Sequence, residues 1–212
     1  TQLGLAVAAG IRQLFRPSGA PATPDAVVRF DAAAAVELAR GVGRGRRSCV
    51  GIYGFGGGGL IVEGGRFVPM DRPLHEDATR PFSPLVARVA LPPAWRCVVF
   101  ELREAVGLHG DAEKQAFASL PPVPREVSAE LSRIALMSLL PAAIEGEFAE
   151  FSDALFRYGL LAGKPFEQAS SVLPYAPTTA RLLESLRAWG VHGCGQSSWG
   201  PTVMACCASQ ES

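Results

Sequence analysis

Between an amphipathic helical segment, Pro177 to Trp189, and a short apolar strand, Val203 to Cys207, the chain reads Gly193-Cys194-Gly195-Gln196-Ser197-Ser198-Trp199-Gly200-Pro201-Thr202. An amphipathic helical segment gives way here to a short apolar run, so the stretch reads as the link from a helix to a strand. Glycines at 193, 195 and 200 remove the Cβ atoms that limit backbone turning. Such a turn lets several N–H groups converge, a concavity that holds phosphate-like anions with serine hydroxyls as further donors. The same spacing also describes an ordinary Gly/Ser turn, and the residues alone leave both readings open.

The rest of the chain supplies what a folded domain needs. Its 212 residues are 48% hydrophobic, enough for a real core in one large or two small domains. Twenty basic and twenty acidic residues cancel, with no block of one sign. That balance argues against nucleic acid or an anionic membrane surface as a partner. No apolar run is read as reaching the roughly 18 residues of a membrane span, and the N-terminus lacks a signal-peptide pattern. The five cysteines form no CxxC pair. They read as reduced thiols in a cytoplasmic setting.

Periodicity predicts a helix over Thr1 to Phe15, with Leu3, Val7, Ile11 and Leu14 on one face. A second helix is expected from Thr23-Pro24-Asp25, a capping hydroxyl before proline and an acid, to Arg40, stopping at Gly41. Strands are expected over Ser48 to Phe55 and Leu60 to Glu63, flanking the glycines 56 to 59. A tight Gly64-Gly65 hairpin into Arg66 to Met70 follows. Val86 to Leu91 and Arg96 to Leu102 read as strands, and Arg103 to Pro124 as a long polar loop. Arg125 to Leu140 and Glu147 to Leu161 read as helices with Pro141 bending or breaking the run between them. Lys164 to Ala176 reads as a loop. Phe148, Phe151, Leu155 and Tyr158 form a stripe expected in the core. The order of elements is that of an α+β protein, and a boundary in the proline-rich region 72 to 84 would divide it into 1–78 and 79–212.

Four segments, in order, resemble the GHMP superfamily. They are Thr1-Gln2-Leu3-Gly4-Leu5-Ala6-Val7; Arg46-Arg47-Ser48-Cys49-Val50-Gly51-Ile52-Tyr53-Gly54-Phe55 with Gly58-Gly59 and Gly64-Gly65; Gly107-Leu108-His109-Gly110 with Glu113 and Phe117; and the Gly195 to Thr202 stretch. The wording is most similar to the β-ribofuranosylaminobenzene 5′-phosphate synthases, GHMP relatives that are not kinases. The resemblance implies the remnant of an N-terminal lobe, a ferredoxin-like C-terminal lobe and a ligand cleft between them. It also implies a glycine-rich phosphate loop before Thr1-Gln2, so both ends read as cut. The chain alone is then expected to be inactive and prone to association.

Several residues are candidates for chemistry. Arg46 and Arg47, after Arg44-Gly45, present guanidinium forks that match carboxylates and phosphates, although a solvated basic turn has the same composition. The resemblance places phosphate at Thr1 and Gln2, and at Gly193, Gly195, Gln196, Ser197, Ser198 and Gly200. It puts Tyr53 where GHMP kinases carry a catalytic aspartate, and a phenol with a pKa of about 10 is a poor base at neutral pH. His109 and Glu113 are possible loop contacts, as proton donor or Mg²⁺ ligand, and His192 beside the glycine stretch is a further candidate. No histidines or cysteines stand at metal-ligand spacing.

The activity so implied joins 5-phospho-α-D-ribosyl 1-pyrophosphate to 4-aminobenzoate, or 4-hydroxybenzoate in some members. CO₂ and pyrophosphate leave, Mg²⁺ is the cofactor, and the product feeds methanopterin-type one-carbon carriers. A homodimer is expected. Two other readings stand beside it, a GHMP kinase using ATP and a small alcohol, and a non-catalytic binder of a phosphorylated metabolite.

Overall fold

The computed structural model describes residues 2–14, 31–45, 48–66, 82–102, 110–169, 177–197 and 202–210. The chain divides into two compact units, Thr1–Ala90 and Leu91–Ser212. Helices and purely antiparallel sheets make up both, an α+β composition. The boundary expected near residue 78 falls within 67–81, outside the described residues.

The first unit holds α1 (Gln2–Leu14), α2 (Ala32–Gly41), α3 (Val50–Gly57), β1 (Leu60–Glu63) and β2 (Leu85–Val89). Helix α2 does not run continuously from Thr23. Asp31 caps it with extended backbone, and its carboxylate accepts from the Ala34 amide at 2.7 Å. A cap of this kind is worth about 1 kcal/mol. The expected start at Thr23 to Asp25 lies outside the described residues. The core gathers Leu5 and Ala9 of α1, Ala35, Leu38 and Ala39 of α2, and Ile52 and Tyr53 of α3. In α1 it is thus Leu5 and Ala9 that are buried, while Val7 and Ile11 of the predicted stripe are exposed. Alanines at the contact let helix axes approach more closely than a valine–isoleucine face would.

The expected strand Ser48 to Phe55 is a helix, α3. The run is apolar at almost every position, so periodicity cannot separate a buried strand from a buried helix. Contacts with α2 and α1 decide for the helix, and positive φ at Gly58 (63°) and Gly59 (83°) ends it. The chain then enters β1, which pairs antiparallel with β2 from Leu60↔Val89 to Glu63↔Leu85, with an irregularity between Val62 and Glu63. The Gly64 amide donates to the Pro84 carbonyl at 2.8 Å and extends this pairing. Residues 67–70 of the expected Gly64-Gly65 hairpin lie outside the described residues.

The second unit contains β3 (Arg96–Phe100), α4 (Gly110–Ser119), α5 (Arg125–Ile134), a π segment (Ala135–Leu139), α6 (Leu140–Glu145), α7 (Phe148–Ala169), α8 (Pro177–Ala188), β4 (Cys194–Gln196) and β5 (Val203–Cys207). Its described sheet has the order β3-β5-β4. Leu183 and Leu186 of α8 form a core with Cys194, Val203 and Ala205, every second residue along the strands. Trp95 packs its ring against Phe148 and Phe151 of α7, at centroid distances of 5.2 and 4.9 Å.

Three expectations are corrected in this unit. The polar stretch Arg103 to Pro124 contains α4, a helix whose lack of an apolar stripe hides it from pattern reading. Helix α7 continues to Ala169, into the first part of the expected loop Lys164 to Ala176, whose residues 170–176 lie outside the described residues. Pro141 neither breaks nor ends its helix. The Leu140 amide donates to the Ala135 carbonyl, five residues back, and the helix runs on to Gly146 at φ 79°. A proline ring collides with the carbonyl four residues before it, here Met137, and the π segment contains that carbonyl. The uninterrupted helix Arg125–Glu145 is, by length and composition only, long and apolar enough to cross a membrane. One-third of its apolar window is buried, and core helices pass the same test.

Candidate functional site

The glycine stretch forms a β-hairpin. Cys194, Gly195 and Gln196 stand opposite Ala205, Met204 and Val203. The Ser197 amide donates to the Thr202 carbonyl at 2.9 Å, and the Cys206 amide to the Gly193 carbonyl at 2.8 Å. Hydrogen-bonded and non-hydrogen-bonded pairs alternate along an antiparallel ladder, so Gly195 and Met204 form the bonded pair between these two. The Cys194 amide donates to the His192 carbonyl at 3.1 Å. The amides of Cys194, Gly195 and Ser197 are therefore committed to protein carbonyls. The connection 198–201, with Ser198 and Gly200, lies outside the described residues.

Gly193 has a different reason to be glycine. A Cβ there would sit 3.0 Å from Ser152 Oγ and 3.2 Å from Ser152 Cα, so the hairpin rests directly on helix α7. At Gly195 a Cβ meets nothing within 4 Å. His192 is exposed, with Nδ1 3.2 Å from Arg187 Nη1, and the same guanidinium nitrogen donates to the His192 carbonyl. Arginine only donates, so Nδ1 accepts and the ring proton sits on Nε2. Arg187 also lies 4.0 Å above the Phe156 ring. A cavity of about 520 Å³ opens nearby, lined among others by Phe148, Asp153, Trp189, His192, Cys206 and Cys207. It lies at the end of the hairpin away from the glycine turn.

In the first unit, four separate segments meet in a polar cluster that no sequence motif announces. Arg66 donates to the Gly45 carbonyl at 3.0 Å, to Ser83 Oγ at 3.2 Å and toward Cys49 Sγ at 3.7 Å. The Cys49 amide donates to the Glu63 carboxylate. Tyr53 is 4% exposed, and its hydroxyl donates to the Ser83 carbonyl at 2.6 Å. Burial, then the nearby Cys49 and Glu63, push the phenol above its ordinary value, and burial likewise raises the Cys49 thiol. A buried phenol that already donates its proton cannot take one from a substrate.

This cluster predicts alkaline sensitivity. Both groups keep their protons in the folded unit at pH values where the unfolded chain releases them. Their contribution is complete below pH 9.0 and 10.0, the ordinary values for the thiol and phenol, and is lost as pH rises beyond them. Tyr53→Phe is expected to destabilise the protein by about 1–3 kcal/mol at neutral pH, because a buried carbonyl loses its donor. The same substitution should flatten the alkaline loss above pH 10. Urea titrations of both proteins between pH 7 and 11 test this, and parallel pH profiles would refute the assignment of Tyr53 to the loss.

Of the other predicted site residues, Thr1, Arg46, Arg47 and His109 lie outside the described residues. Gln2 begins α1 and Glu113 lies on α4. Among the described residues, no group of three or more His, Cys, Asp or Glu side chains converges as a metal site.

The chain is 31% identical over 174 residues to the beta-ribofuranosylphenol 5'-phosphate synthase of Methanothermobacter thermautotrophicus, covering 79% of this chain and 50% of the relative. It is 33% identical over 174 residues to the same-named protein of Archaeoglobus fulgidus, covering 80% and 51%. The chain is a relative of the beta-ribofuranosylphenol 5'-phosphate synthases. A third synthase of this name, from Methanocaldococcus jannaschii, is 24% identical over 180 residues, 81% of this chain and 51% of the relative. The chain thus spans about half the length of the curated relatives it matches. No family model matches it. Among solved structures, homoserine kinase from Cytophaga hutchinsonii shares 23% identity with a TM-score of 0.37, over 60% of this chain and 36% of that one. That likeness is too loose to define the fold, which rests on the elements above.

Proposed function

We propose that the chain serves a transferase joining 5-phospho-α-D-ribosyl 1-pyrophosphate to a 4-substituted benzoate, with loss of CO₂ and pyrophosphate, on a route to methanopterin-type carriers. The observation that carries this reading is the similarity to the synthases over about four-fifths of the chain. Their name specifies a phenol product. Of the two benzoates, 4-hydroxybenzoate leaves a phenol once CO₂ departs, so it is the preferred acceptor in this proposal.

The residues divide the work as follows. The turn between Ser197 and Thr202, with Ser198 and Gly200, holds phosphate oxygens, while Gly193 and Gly195 shape the hairpin that presents it. Arg46 and Arg47 pair with phosphate or carboxylate, and Thr1 and Gln2 add a helix N-terminus. His109 and Glu113 contact the bound substrates. Mg²⁺ keeps several waters and binds through one or two carboxylates plus substrate phosphates, so it fits a site completed by the diphosphate itself. When bound, it neutralises charge on the departing pyrophosphate. No strong base is needed, because the ring carbon attacks and CO₂ loss restores aromaticity. Tyr53 accordingly has no proton to move. A homodimer completes the proposal.

Carboxyl-labelled 4-hydroxybenzoate and 4-aminobenzoate, incubated with phosphoribosyl pyrophosphate, Mg²⁺ and the full-length protein, should release labelled CO₂. Retention of that release by Tyr53→Phe within about tenfold is expected, since general acid–base groups contribute at least 10²-fold. ATP consumption with an added alcohol and no labelled CO₂ would establish the kinase instead. Tight phosphoribosyl pyrophosphate binding without turnover would establish a non-catalytic binder.

A further inference from the structure

Strands β3 and β5 place two thiols face to face. Cys97 stands directly opposite Cys206 in the antiparallel register. The backbone amide of Cys206 is turned toward β4, where it donates to Gly193, so Cys97 and Cys206 form a non-hydrogen-bonded pair. In such pairs the Cα atoms lie about 4.5 Å apart and the side chains approach most closely. Disulfides span Cα separations of about 4.4 to 6.8 Å, so the two sulfurs can join without parting the strands. The register alone brings the two side chains to the same face of neighbouring strands.

We propose that Cys97 and Cys206 form a reversible intrachain disulfide, making this edge of the sheet an oxidation site for a hydroperoxide.

Accessibility sets the order of events. Cys97 is exposed on β3, an edge of the described sheet, beside Val99 at 58% exposure. It meets the oxidant first. Its thiolate attacks the hydroxyl oxygen of the peroxide, the O–O bond breaks, and alkoxide (hydroxide for hydrogen peroxide) leaves and takes up a proton, giving a sulfenic acid. The Cys206 sulfur then attacks the Cys97 sulfur. An S–S bond forms, the S–O bond breaks, and the oxygen departs as water with the Cys206 proton. Two thiols and one hydroperoxide become one disulfide, one water and one alcohol, or two waters for hydrogen peroxide.

The surroundings explain why Cys206 acts second. Burial, with the adjacent Cys97 charge next in weight, pushes its thiol up to about 12. A sulfenic acid at Cys97 is neutral and removes that repulsion at the moment Cys206 must react. The remaining cysteines compete poorly. Cys49 and Cys194 are buried, and Cys207 points to the other face of β5 by strand alternation. Exposure of Cys97 on the edge strand leaves the bond open to reduction.

The test needs no substrate. The reduced chain is treated with hydrogen peroxide, alkylated with iodoacetamide and mapped by mass spectrometry. We expect two fewer alkylatable thiols than the five in the sequence, a peptide linked through Cys97 and Cys206, and return of all five after dithiothreitol. Cys97→Ser should abolish the loss of Cys206 alkylation. Cys97 oxidised only to sulfinic or sulfonic acid, a Cys97–Cys97 link between two chains, or a Cys206–Cys207 link would each overturn the proposal.

Discussion

Phe151→Ala should destabilise the Leu91–Ser212 unit by about 3–5 kcal/mol, the range for truncating a buried phenylalanine. Phe151 is 2% exposed on α7 and carries the Trp95 ring at 4.9 Å. Its removal deletes both the apolar area and the support for Trp95, which also meets Phe148 edge-on at an interplanar angle of 77°. Ring pairs of this kind add about 0.5–1.5 kcal/mol beyond area. Domains have total stabilities of only about 5–15 kcal/mol, so the loss is a large share. Urea unfolding followed by circular dichroism reads it as a lower midpoint at unchanged slope. A shift worth less than about 1 kcal/mol would mean that Trp95 and its neighbours collapse into the space, against the close packing described.

Gly59→Ala should damage the first unit by roughly 2–5 kcal/mol, summing left-handed backbone strain of about 1–2 with overpacking of about 1–3. Gly59 has φ 83°, and its Cβ would lie 2.5 Å from the Val89 carbonyl oxygen. That oxygen belongs to the β1–β2 ladder and cannot swing aside as a side-chain tip would. Hydrogen exchange at β1 and β2 amides should accelerate, while amides of β5 keep their protection. Equal acceleration in both sheets would contradict the placement of the damage in Thr1–Ala90.

These two sites also show what a reader of the sequence can and cannot see. Strands β1, β2, β3 and β5 show as short apolar runs and helix α8 as 3.6-residue spacing, while α1 is found as a helix but not by its buried face, since Val7 and Ile11 of its stripe are exposed. Phe151 falls on a stripe that predicts its burial. Helix α3 does not follow, because Val50 to Phe55 is apolar throughout and β-branched or aromatic in part, so only its neighbours decide its form. Helix α4 is missed for the opposite reason, having too little apolar surface to show a period. The π segment has no local signature except Pro141, which usually argues for a break.

The candidate site was legible as composition and not as hydrogen bonding. Three glycines and two serines mark a turn, but the residues cannot say that the amides of Gly195 and Ser197 would be consumed by pairing with β5. Nor can they say that Gly193 is small because Ser152 lies against it. The Tyr53 cluster was invisible for want of proximity in sequence. Gly45, Cys49, Glu63, Arg66 and Ser83 come together only when α3 lies over β1 and the chain returns at Ser83.

The π segment before Pro141 works as a vernier between two sets of contacts. In an α-helix, five residues turn the chain by about 500°, which leaves the fifth residue some 140° from the first. Yet Ile134 and Ala135 are buried, and so are Leu139 and Leu140, five positions on. The wide turn brings both pairs to the same side. Upstream and downstream halves of this helix can therefore each keep their own phase, and the seam between them is where Pro141 enters the rod.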